Sequence, residues 1–131
     1  MRIYLAATFS ARDVMRPIAD RLWQLGHEVT SSWLGEVSKP AGMSTATFWR
    51  KLAQKDLQEI SGSDLVILTA GPSSGGKNAE WGFALAQNQT HEVWLVGEPT
   101  NVFHELADRK FKDWPQVFKY LEEIDATFAN H

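Results

Sequence analysis

The hydrophobic and polar positions alternate in a way that predicts short strands separated by helices. Strands are predicted at residues 3–7, 27–33, 64–69, 92–97 and, very short, 110–111. Helices are predicted from residue 10 or 11 to 25, from 44 or 45 to 60, from 78 to 88, and from 113 onward. In the first helix Val14, Ile18, Leu22 and Leu25 recur at spacings of three and four, and Gly26 follows as a stop signal.

This alternation is typical of an α/β protein with a parallel sheet and right-handed crossovers. The spacing predicts a three-layer, flavodoxin-like (Rossmann-like) sheet of four or five parallel strands in the order 2-1-3-4-5. A length of 131 residues suits one domain with one core, spanning residues 1–131.

Composition narrows the classes of function. The net charge is −3 with no basic block, so we expect no nucleic-acid polymer as a partner. No apolar run approaches the roughly 20 residues of a membrane span, and no signal peptide is recognisable, so no membrane partner and a cytoplasmic location are expected. There are no cysteines, which excludes a disulfide framework and a cysteine nucleophile.

The segment from Gly75 to Ala86 is the most informative part of the chain. It follows the apolar run 65–68, predicted to be a buried parallel strand, and a helix starting at Asn78 would place Glu80 in the first helical turn. In open α/β sheets, ligands bind where strand ends lead into loops and helix N-termini. Glu80 is therefore a candidate for contact with a ligand, although an acid in a first turn also complements the helix dipole without further function.

A second carboxylate and a polar loop are weaker candidates. Asp56 lies near the end of the second predicted helix. If Asp56 and Glu80 both reach one cleft, they would form a pair of carboxylates like that of a glycosidase. Otherwise Asp56 is an ordinary solvated acid. The loop 73–76 precedes a helix, so its backbone N–H groups would suit a phosphate, or it is simply a connection.

The sequence contains no pattern typical of a metal site or of a P-loop. The four histidines lack metal-ligand spacing, and neither a metal nor a cofactor is expected. The Gly75-Gly76-Lys77 segment lacks the earlier glycine and the following Ser or Thr of a P-loop.

Three segments in order resemble the nucleoside 2-deoxyribosyltransferase family. They are the opening strand Ile3-Tyr4-Leu5-Ala6-Ala7, the pair Lys55-Asp56-Leu57 with Ser63-Asp64-Leu65-Val66 after it, and Ala79-Glu80-Trp81-Gly82-Phe83-Ala84-Leu85-Ala86. Each motif is loose, but the ordered set spans most of residues 2–106 and is fairly specific.

The resemblance implies cleavage of the N-glycosidic bond of a 2′-deoxynucleoside or its 5′-monophosphate. Glu80 would attack the anomeric carbon and form a covalent glycosyl-enzyme, Asp56 would protonate or hold the leaving base, and Tyr4 would orient Glu80 in the sugar pocket. Transfer to a second base or hydrolysis by water would then complete the reaction.

Departures from the family pattern bear on the substrate. Ser74 stands six residues before Glu80, where the transferases carry an Asp that meets the sugar 5′-hydroxyl, and it resembles the Rcl-type nucleotide N-hydrolases, which accept 5′-monophosphates. A hydroxyl can donate to a phosphate that a carboxylate would repel, so hydrolysis of monophosphates is favoured. Gly76 and Asn78 are assigned to substrate binding beside Ser74.

The first loop is the other candidate for contacts with the sugar or phosphate. Thr8 and Ser10 would add hydrogen-bond donors and Arg12 a charge. However, Ala7 replaces a glycine of the hydrolase branch, and the glycine-rich loop of that branch is incomplete here.

The resemblance also implies a homodimer or higher oligomer. In the family, the segment after the fourth strand often reaches a neighbouring subunit's site, and Asn101, Phe103 and His104 occupy that position; alternatively Phe103 packs into its own core. Trp33 and Trp49 are candidates for stacking on a base, or for the core.

Two other hypotheses remain open. One is a non-catalytic nucleotide-binding module, which would keep the cleft but need no nucleophile. The other is a different phosphoribohydrolase, against which the missing Pro-Gly-Gly-x-Gly-Thr loop counts.

Overall fold

A computed structural model describes residues 1–35, 37–71 and 75–129, with side chains described through residue 126. Five strands pair in parallel in the order β2-β1-β3-β4-β5, which confirms the predicted α/β class and strand order. The strands are β1 (Arg2–Ala6), β2 (Glu28–Val29), β3 (Leu65–Thr69), β4 (Glu92–Val96) and β5 (Arg109–Phe111).

In the described part of the chain, four α-helices connect or follow the strands. They are α1 (Arg12–Gln24), α2 (Thr45–Ser61), α3 (Gly75–Ala86) and α4 (Trp114–Ala129). Short 3-10 helices lie at Phe9–Ala11, Ser32–Leu34 and Val102–Leu106. Among the described helices, none is long and apolar enough to cross a membrane.

The central strands are covered on both faces. Residues 3–6 of β1 and 65–68 of β3 are almost fully buried, although successive side chains point to opposite sides of a sheet. Helices must therefore pack on both sides, which explains why these strands are continuous apolar runs.

The second strand is much shorter than predicted, because side chains replace its backbone pairing. Only Glu28–Val29 pairs with β1, instead of residues 27–33. Beyond it, the Ser31 hydroxyl accepts the N–H of Leu5, and the Trp33 indole N–H donates to the Leu5 carbonyl at 2.9 Å. The backbone around Trp33 is consequently free to form a 3-10 turn.

The buried face of helix α1 agrees with the predicted stripe at Leu22 and Ile18, which packs against the core, but not at Val14. Met15, Ala19 and Leu22 are its buried residues, whereas Val14 is 68% exposed. Met15, one position after Val14, lies in the core instead. The predicted end is confirmed, since Gly26 follows the helix with φ +92°.

Helix α3 includes the two glycines that were predicted to lie in a loop. It spans Gly75–Ala86, so Glu80 lies beyond the first turn rather than within it, and the prediction of a first-turn position was wrong. Glycine has low helix propensity, but burial of Trp81 and Ala84 supplies tertiary packing that outweighs it.

Candidate active site

The site lies where the strand order reverses. Strands β1 and β3 are neighbours, with Tyr4 opposite Val66, and the chain leaves them in different directions. Such a switch point leaves a crevice at the carboxyl ends of the strands. Tyr4 comes from β1, Asp56 from α2 and Glu80 from α3.

Tyr4, Asp56 and Glu80 meet in one hydrogen-bonded cluster. The Tyr4 hydroxyl donates to Oε1 of Glu80 at 2.8 Å. A second hydrogen bond joins the carboxyl groups of Glu80 and Asp56; it raises the pKa of Glu80 and lowers that of Asp56, so Glu80 is its donor. These are the three residues to which the family resemblance gives catalytic roles.

Burial shifts the pKa of both carboxyl groups upward. Desolvation, together with the neighbouring acids, raises the pKa of Glu80 to about 8. The pKa of Asp56 rises to about 6, mainly through burial and the charge of Glu59. The pKa of the Tyr4 hydroxyl also rises, through burial and the nearby carboxylates, so it remains a donor. Because Glu80 lies beyond the first helical turn, interaction with the helix dipole does not explain why an acid stands at this position.

The carboxyl pair opens into a cavity of about 300 Å³. The cavity is lined by Ala7, Phe9, Trp33, Asp56, Gly76, Lys77 and Glu80. A second cavity of about 250 Å³ shares Phe9, Trp33 and Asp56 with the first. It adds residues from the 3-10 helix Ser32–Leu34, from the loop after it and from α2, namely Ser32, Val37, Ser38, Phe48, Leu52 and Lys55. Asp56 therefore lies at the junction between a carboxylate-bearing cavity and one walled by aromatic rings.

The first loop contributes fewer contacts than expected. Ala7 lines the cavity, while the Ser10 hydroxyl donates to the Thr8 hydroxyl at 3.3 Å and neither lines the two cavities described here. Arg12 does not line either cavity. Its guanidinium lies 5.0 Å from the Phe9 ring centroid and donates a hydrogen bond to the Gly35 carbonyl. The charge expected from Arg12 is therefore directed to the loop after Trp33.

The residues around the start of α3 are divided between two places. Gly76 lines the cavity beside Glu80, whereas Asn78 lines a separate cavity of about 380 Å³ with Trp81, Gly82 and Phe103. Ser74 lies outside the described residues.

Lys77 is a cavity residue that the sequence analysis missed. It is 4% exposed, lines the same cavity as Glu80, and its ammonium lies 3.4 Å from the Thr69 carbonyl. Burial lowers its pKa. The sequence did contain a signal for it. Lys77 is the only charged residue between Asp64 and Glu80, and it stands three positions before Glu80, a spacing that puts two residues on the same face of a helix.

The segment after β4 is arranged around its own 3-10 helix. The Asn101 side chain accepts the N–H groups of Phe103 and His104, as a cap. His104 is 1% exposed, accepts the Thr100 N–H and meets Trp81 edge-on. Phe103 is exposed and its carbonyl accepts the Trp81 indole N–H. Of the three residues assigned to a partner's pocket, Asn101 and Phe103 are exposed and His104 is buried.

The two candidate stacking tryptophans differ. Trp33 is buried and lines both cavities, so it combines a core role with a place in the wall. Trp49 is exposed on α2 and lines neither. Within the described residues, no group of three or more His, Asp or Glu side chains is placed to hold a metal ion.

Comparison with known proteins finds similar structures but no similar sequence. No model of a known protein family matches the sequence, and no curated protein sequence matches it. The structure is similar to that of a 2-deoxyribosyltransferase from the psychrotolerant bacterium Bacillus psychrosaccharolyticus, with a TM-score of 0.76 and 23% identity over 92% of each chain.

Two further structures are similar over nearly their full length. The Clostridium botulinum CMP N-glycosidase BcmB has a TM-score of 0.62 and 20% identity, covering 96% of this chain and 99% of its own. A conserved protein from Enterococcus faecalis V583 has a TM-score of 0.67 and 13% identity, covering 94% and 98%. At these identities the comparison shows a shared fold. A deoxyribosyltransferase and an N-glycosidase, the two kinds of protein that the sequence resembles, both have this fold.

Proposed function

We propose that this protein is an enzyme that cleaves the N-glycosidic bond of 2′-deoxynucleosides or their 5′-monophosphates through a covalent intermediate on Glu80. The observation that carries the proposal is the cluster of Tyr4, Asp56 and Glu80 in the cavity between the ends of β1 and β3. Two carboxyl groups within hydrogen-bonding contact, with only one proton between them near neutral pH, can supply both a nucleophile and an acid.

The first step uses the shared proton. As the bond between C1′ and the base nitrogen breaks, the proton moves from Glu80 through the hydrogen bond to Asp56, and Asp56 delivers it to the base. The freed Glu80 carboxylate forms an ester with C1′. Tyr4 holds Oε1 of Glu80 by its hydrogen bond and so fixes which carboxylate oxygen faces the sugar.

The second step returns the site to its starting state. Water attacks C1′, the Glu80–sugar ester bond breaks, and Asp56, now a carboxylate, accepts the proton of the water. The free sugar and the base are the products. If a second free base attacks instead of water, the reaction is deoxyribosyl transfer with the same residues.

The cavities suggest how the substrate lies. Asp56 has to reach the base, and it lies at the junction with the cavity walled by Phe9, Trp33 and Phe48. Aromatic walls suit the planar face of a base, so the base would occupy this cavity and the sugar the one beside Glu80. The preference for hydrolysis of monophosphates rests on Ser74 in the sequence. A homodimer in which Phe103 contacts the partner's cavity is part of the same proposal.

The test is a chromatographic assay of free base. A panel of 2′-deoxynucleosides and their 5′-monophosphates is incubated with and without a second free base. Glu80→Ala and the near-isosteric Glu80→Gln are expected to lower the rate at least about a thousandfold, as losses of catalytic nucleophiles do. Glu92→Gln, which alters an exposed acid at the start of β4, is the matched control and should keep full activity.

Each outcome separates the hypotheses. Base release without an acceptor identifies a hydrolase, and release only with an acceptor identifies a transferase. Full activity in Glu80→Gln would disprove the mechanism. No release from any substrate, together with nucleotide binding in a calorimeter, would instead favour the non-catalytic binding module.

A further inference from the structure

Glu59 on helix α2 is an acid that the proposed mechanism does not use. It is half-buried and stands three positions after Asp56, a spacing that makes two side chains neighbours on the surface of a helix. Like charges on neighbouring helix positions repel each other. Helix stability therefore does not explain an acid at position 59, and the contacts of Glu59 indicate another role.

The side chain of Glu59 contacts the turn that forms the shared wall of the two cavities. Its Oε1 accepts the N–H of Ser32 at 3.2 Å. Ser32 begins the 3-10 helix Ser32–Leu34, and Trp33 in this helix lines both cavities. Because a carboxylate accepts a backbone N–H more strongly than a neutral group does, Glu59 joins helix α2 to the turn that carries Trp33.

The backbone of Glu59 is joined to the central sheet through two hydroxyl groups. The Ser63 hydroxyl donates to the Glu59 carbonyl at 2.6 Å, and Ser63 is 4% exposed. The Thr30 hydroxyl lies 3.2 Å from that of Ser63 and within hydrogen-bonding distance of the Ile3 carbonyl in β1. Glu59 therefore has a defined position relative to both β1 and the turn at Trp33.

The charge of Glu59 acts on every member of the hydrogen-bonded cluster. Burial raises the pKa of Asp56 most, and the charge of Glu59 raises it next. Glu59 also raises the pKa of Glu80 and of the Tyr4 hydroxyl, after the larger effects of burial and of the neighbouring carboxyl groups. All three groups thus hold their protons to a higher pH than they would without Glu59.

Other charges near the cluster do not duplicate this effect. Lys55, which precedes Asp56 on α2, acts in the opposite direction and lowers the pKa of Asp56. Lys77 of α3 lines the cavity, and its charge lowers the pKa of His104. Apart from the members of the cluster themselves, Glu59 is therefore the acid that acts on the carboxyl pair in the described part of the chain.

We propose that Glu59 is a positioning residue that holds the Trp33 wall against helix α2 through Ser32 and keeps the shared proton on the Glu80–Asp56 pair through its negative charge. This inference rests on the proposed function, because it concerns the same pair and the same cavities. Without the charge of Glu59, the pair would lose its proton at a lower pH, and fewer molecules would hold the reactive state at neutral pH and above.

The experiment uses two substitutions that separate charge from hydrogen bonding. Glu59→Gln removes the charge and keeps an oxygen that can accept the Ser32 N–H, whereas Glu59→Ala removes both. Glu92→Gln, which removes an exposed charge at the start of β4, is the control. For each protein, kcat and KM are measured against pH with an unphosphorylated 2′-deoxynucleoside, and thermal unfolding confirms that each variant is folded.

The two roles predict different changes. A pair that must hold one proton gives an acid and an alkaline limb in kcat/KM, and both limbs should move to lower pH in Glu59→Gln and Glu59→Ala alike. Loss of the hydrogen bond to Ser32 should raise KM about 2- to 10-fold in Glu59→Ala but not in Glu59→Gln. Limbs that do not move in Glu59→Gln would overturn the role of the charge, and equal KM values in the two variants would overturn the role in the wall.

An NMR titration keeps the test independent of catalysis. Isotopically labelled side-chain carboxyl carbons of Asp56 and Glu80 report their protonation in the unaltered protein, in Glu59→Gln and in Glu92→Gln. Both titrations should move to lower pH in Glu59→Gln and stay in place in the control. If no substrate releases base but the titrations move, the proposed function fails while the coupling to Glu59 stands. If base is released and the titrations do not move, the proposed function stands and this inference fails.

Discussion

The carboxyl pair is the residue-level feature from which the chemistry follows. Glu80 and Asp56 are pushed to different pKa values, about 8 and about 6, by burial and by each other. Between those values the pair holds one proton and one negative charge. In the proposed mechanism this is the state in which one group acts as an acid while the other becomes a nucleophile, so the proposed reaction requires no external base.

The singly protonated pair predicts a bell-shaped pH dependence of kcat/KM. The acid limb should fall near pH 6 and the alkaline limb near pH 8, both belonging to the pair. An unphosphorylated nucleoside is the appropriate substrate, because a phosphate itself titrates near pH 6. The measurement is initial rate against pH at low substrate concentration.

The variant Asp56→Asn tests which group supplies the proton. Without Asp56 the residual reaction needs only ionised Glu80, so the alkaline limb should vanish. A single acid limb should remain, set by the pKa of Glu80, which lies below about 8 in the variant because Asp56 no longer raises it. An alkaline limb that persists in Asp56→Asn would contradict this assignment.

Individual site residues were predictable to different degrees. Tyr4, Asp56 and Glu80 could be named because their short motifs resemble a family, although nothing in their spacing shows that they meet. Lys77 was missed because its segment was compared with a P-loop and set aside. Arg12 was expected near the ligand, but only the three-dimensional path of the first loop reveals that it packs on Phe9.

At the level of elements, helix α2 carries Asp56 and begins with a well-formed cap. The Ser44 hydroxyl accepts the Thr47 N–H at 3.1 Å, and its backbone has extended dihedral angles. The sequence predicted Ser44 or Thr45 as the cap, and Ser44 holds that position. Asp56 lies about three turns away along the same helix.

Removal of this cap should weaken the fold without changing the chemistry. Ser44→Ala is expected to lower the free energy of unfolding by about 1 kcal/mol, because it leaves a helical N–H without its acceptor. Urea denaturation measures the loss. Activity under folding conditions should remain within about twofold, because the cap and the site are far apart.

Ser44→Asp is the matched control for the cap. It restores an oxygen acceptor and places a negative charge at the positive end of the helix, so stability should equal or exceed that of the unaltered protein. A loss in Ser44→Asp as large as in Ser44→Ala would show that the cap is not the cause.

Element boundaries were harder to predict than element types. The strand at residues 27–33 was overestimated because Ser31 and Trp33 pair with β1 through side chains, which a strand pattern cannot distinguish from backbone pairing. The start of α3 was placed too late because glycine usually signals a loop, whereas packing of the rest of the helix extends it back to Gly75.

At the level of the whole molecule, the strand order brings distant residues together. Positions 4, 56 and 80 are joined because β1 lies between β2 and β3, an arrangement predictable from alternating strands and helices alone. The cavities beside them were not predictable, since their shapes depend on the packing of Phe9, Trp33 and Phe48 from three separate segments.

Burial of Glu80 should make the stability of the whole protein depend on pH. Its pKa is 4.5 in a model peptide and about 8 in the fold, so between these values the folded state holds a proton that the unfolded state has lost. The stabilising contribution of protonated Glu80 is therefore complete below about pH 4.5 and is lost as the pH rises through about 8.

The variant Glu80→Gln isolates this contribution. Because glutamine does not titrate, the free energy of unfolding of Glu80→Gln minus that of the unaltered protein should increase between about pH 4.5 and about pH 8 and level off above that. The subtraction removes the effect of other titrating groups that the variant does not alter. Denaturant unfolding at several pH values measures it, and a difference that is independent of pH would refute the raised pKa.

The hydrogen bond from the Trp33 indole to the Leu5 carbonyl has a consequence for how the site can diversify. It makes the shared wall of the two cavities an extension of the central sheet, so this wall cannot shift without disturbing β1 and, through it, Tyr4. The rim residues Val37 and Ser38 lie in the loop that follows, and within the described residues neither has a hydrogen bond to the sheet. Substitutions in this loop can therefore reshape the outer cavity while the carboxyl pair keeps its geometry, which for the proposed enzyme separates the choice of substrate from the ability to react.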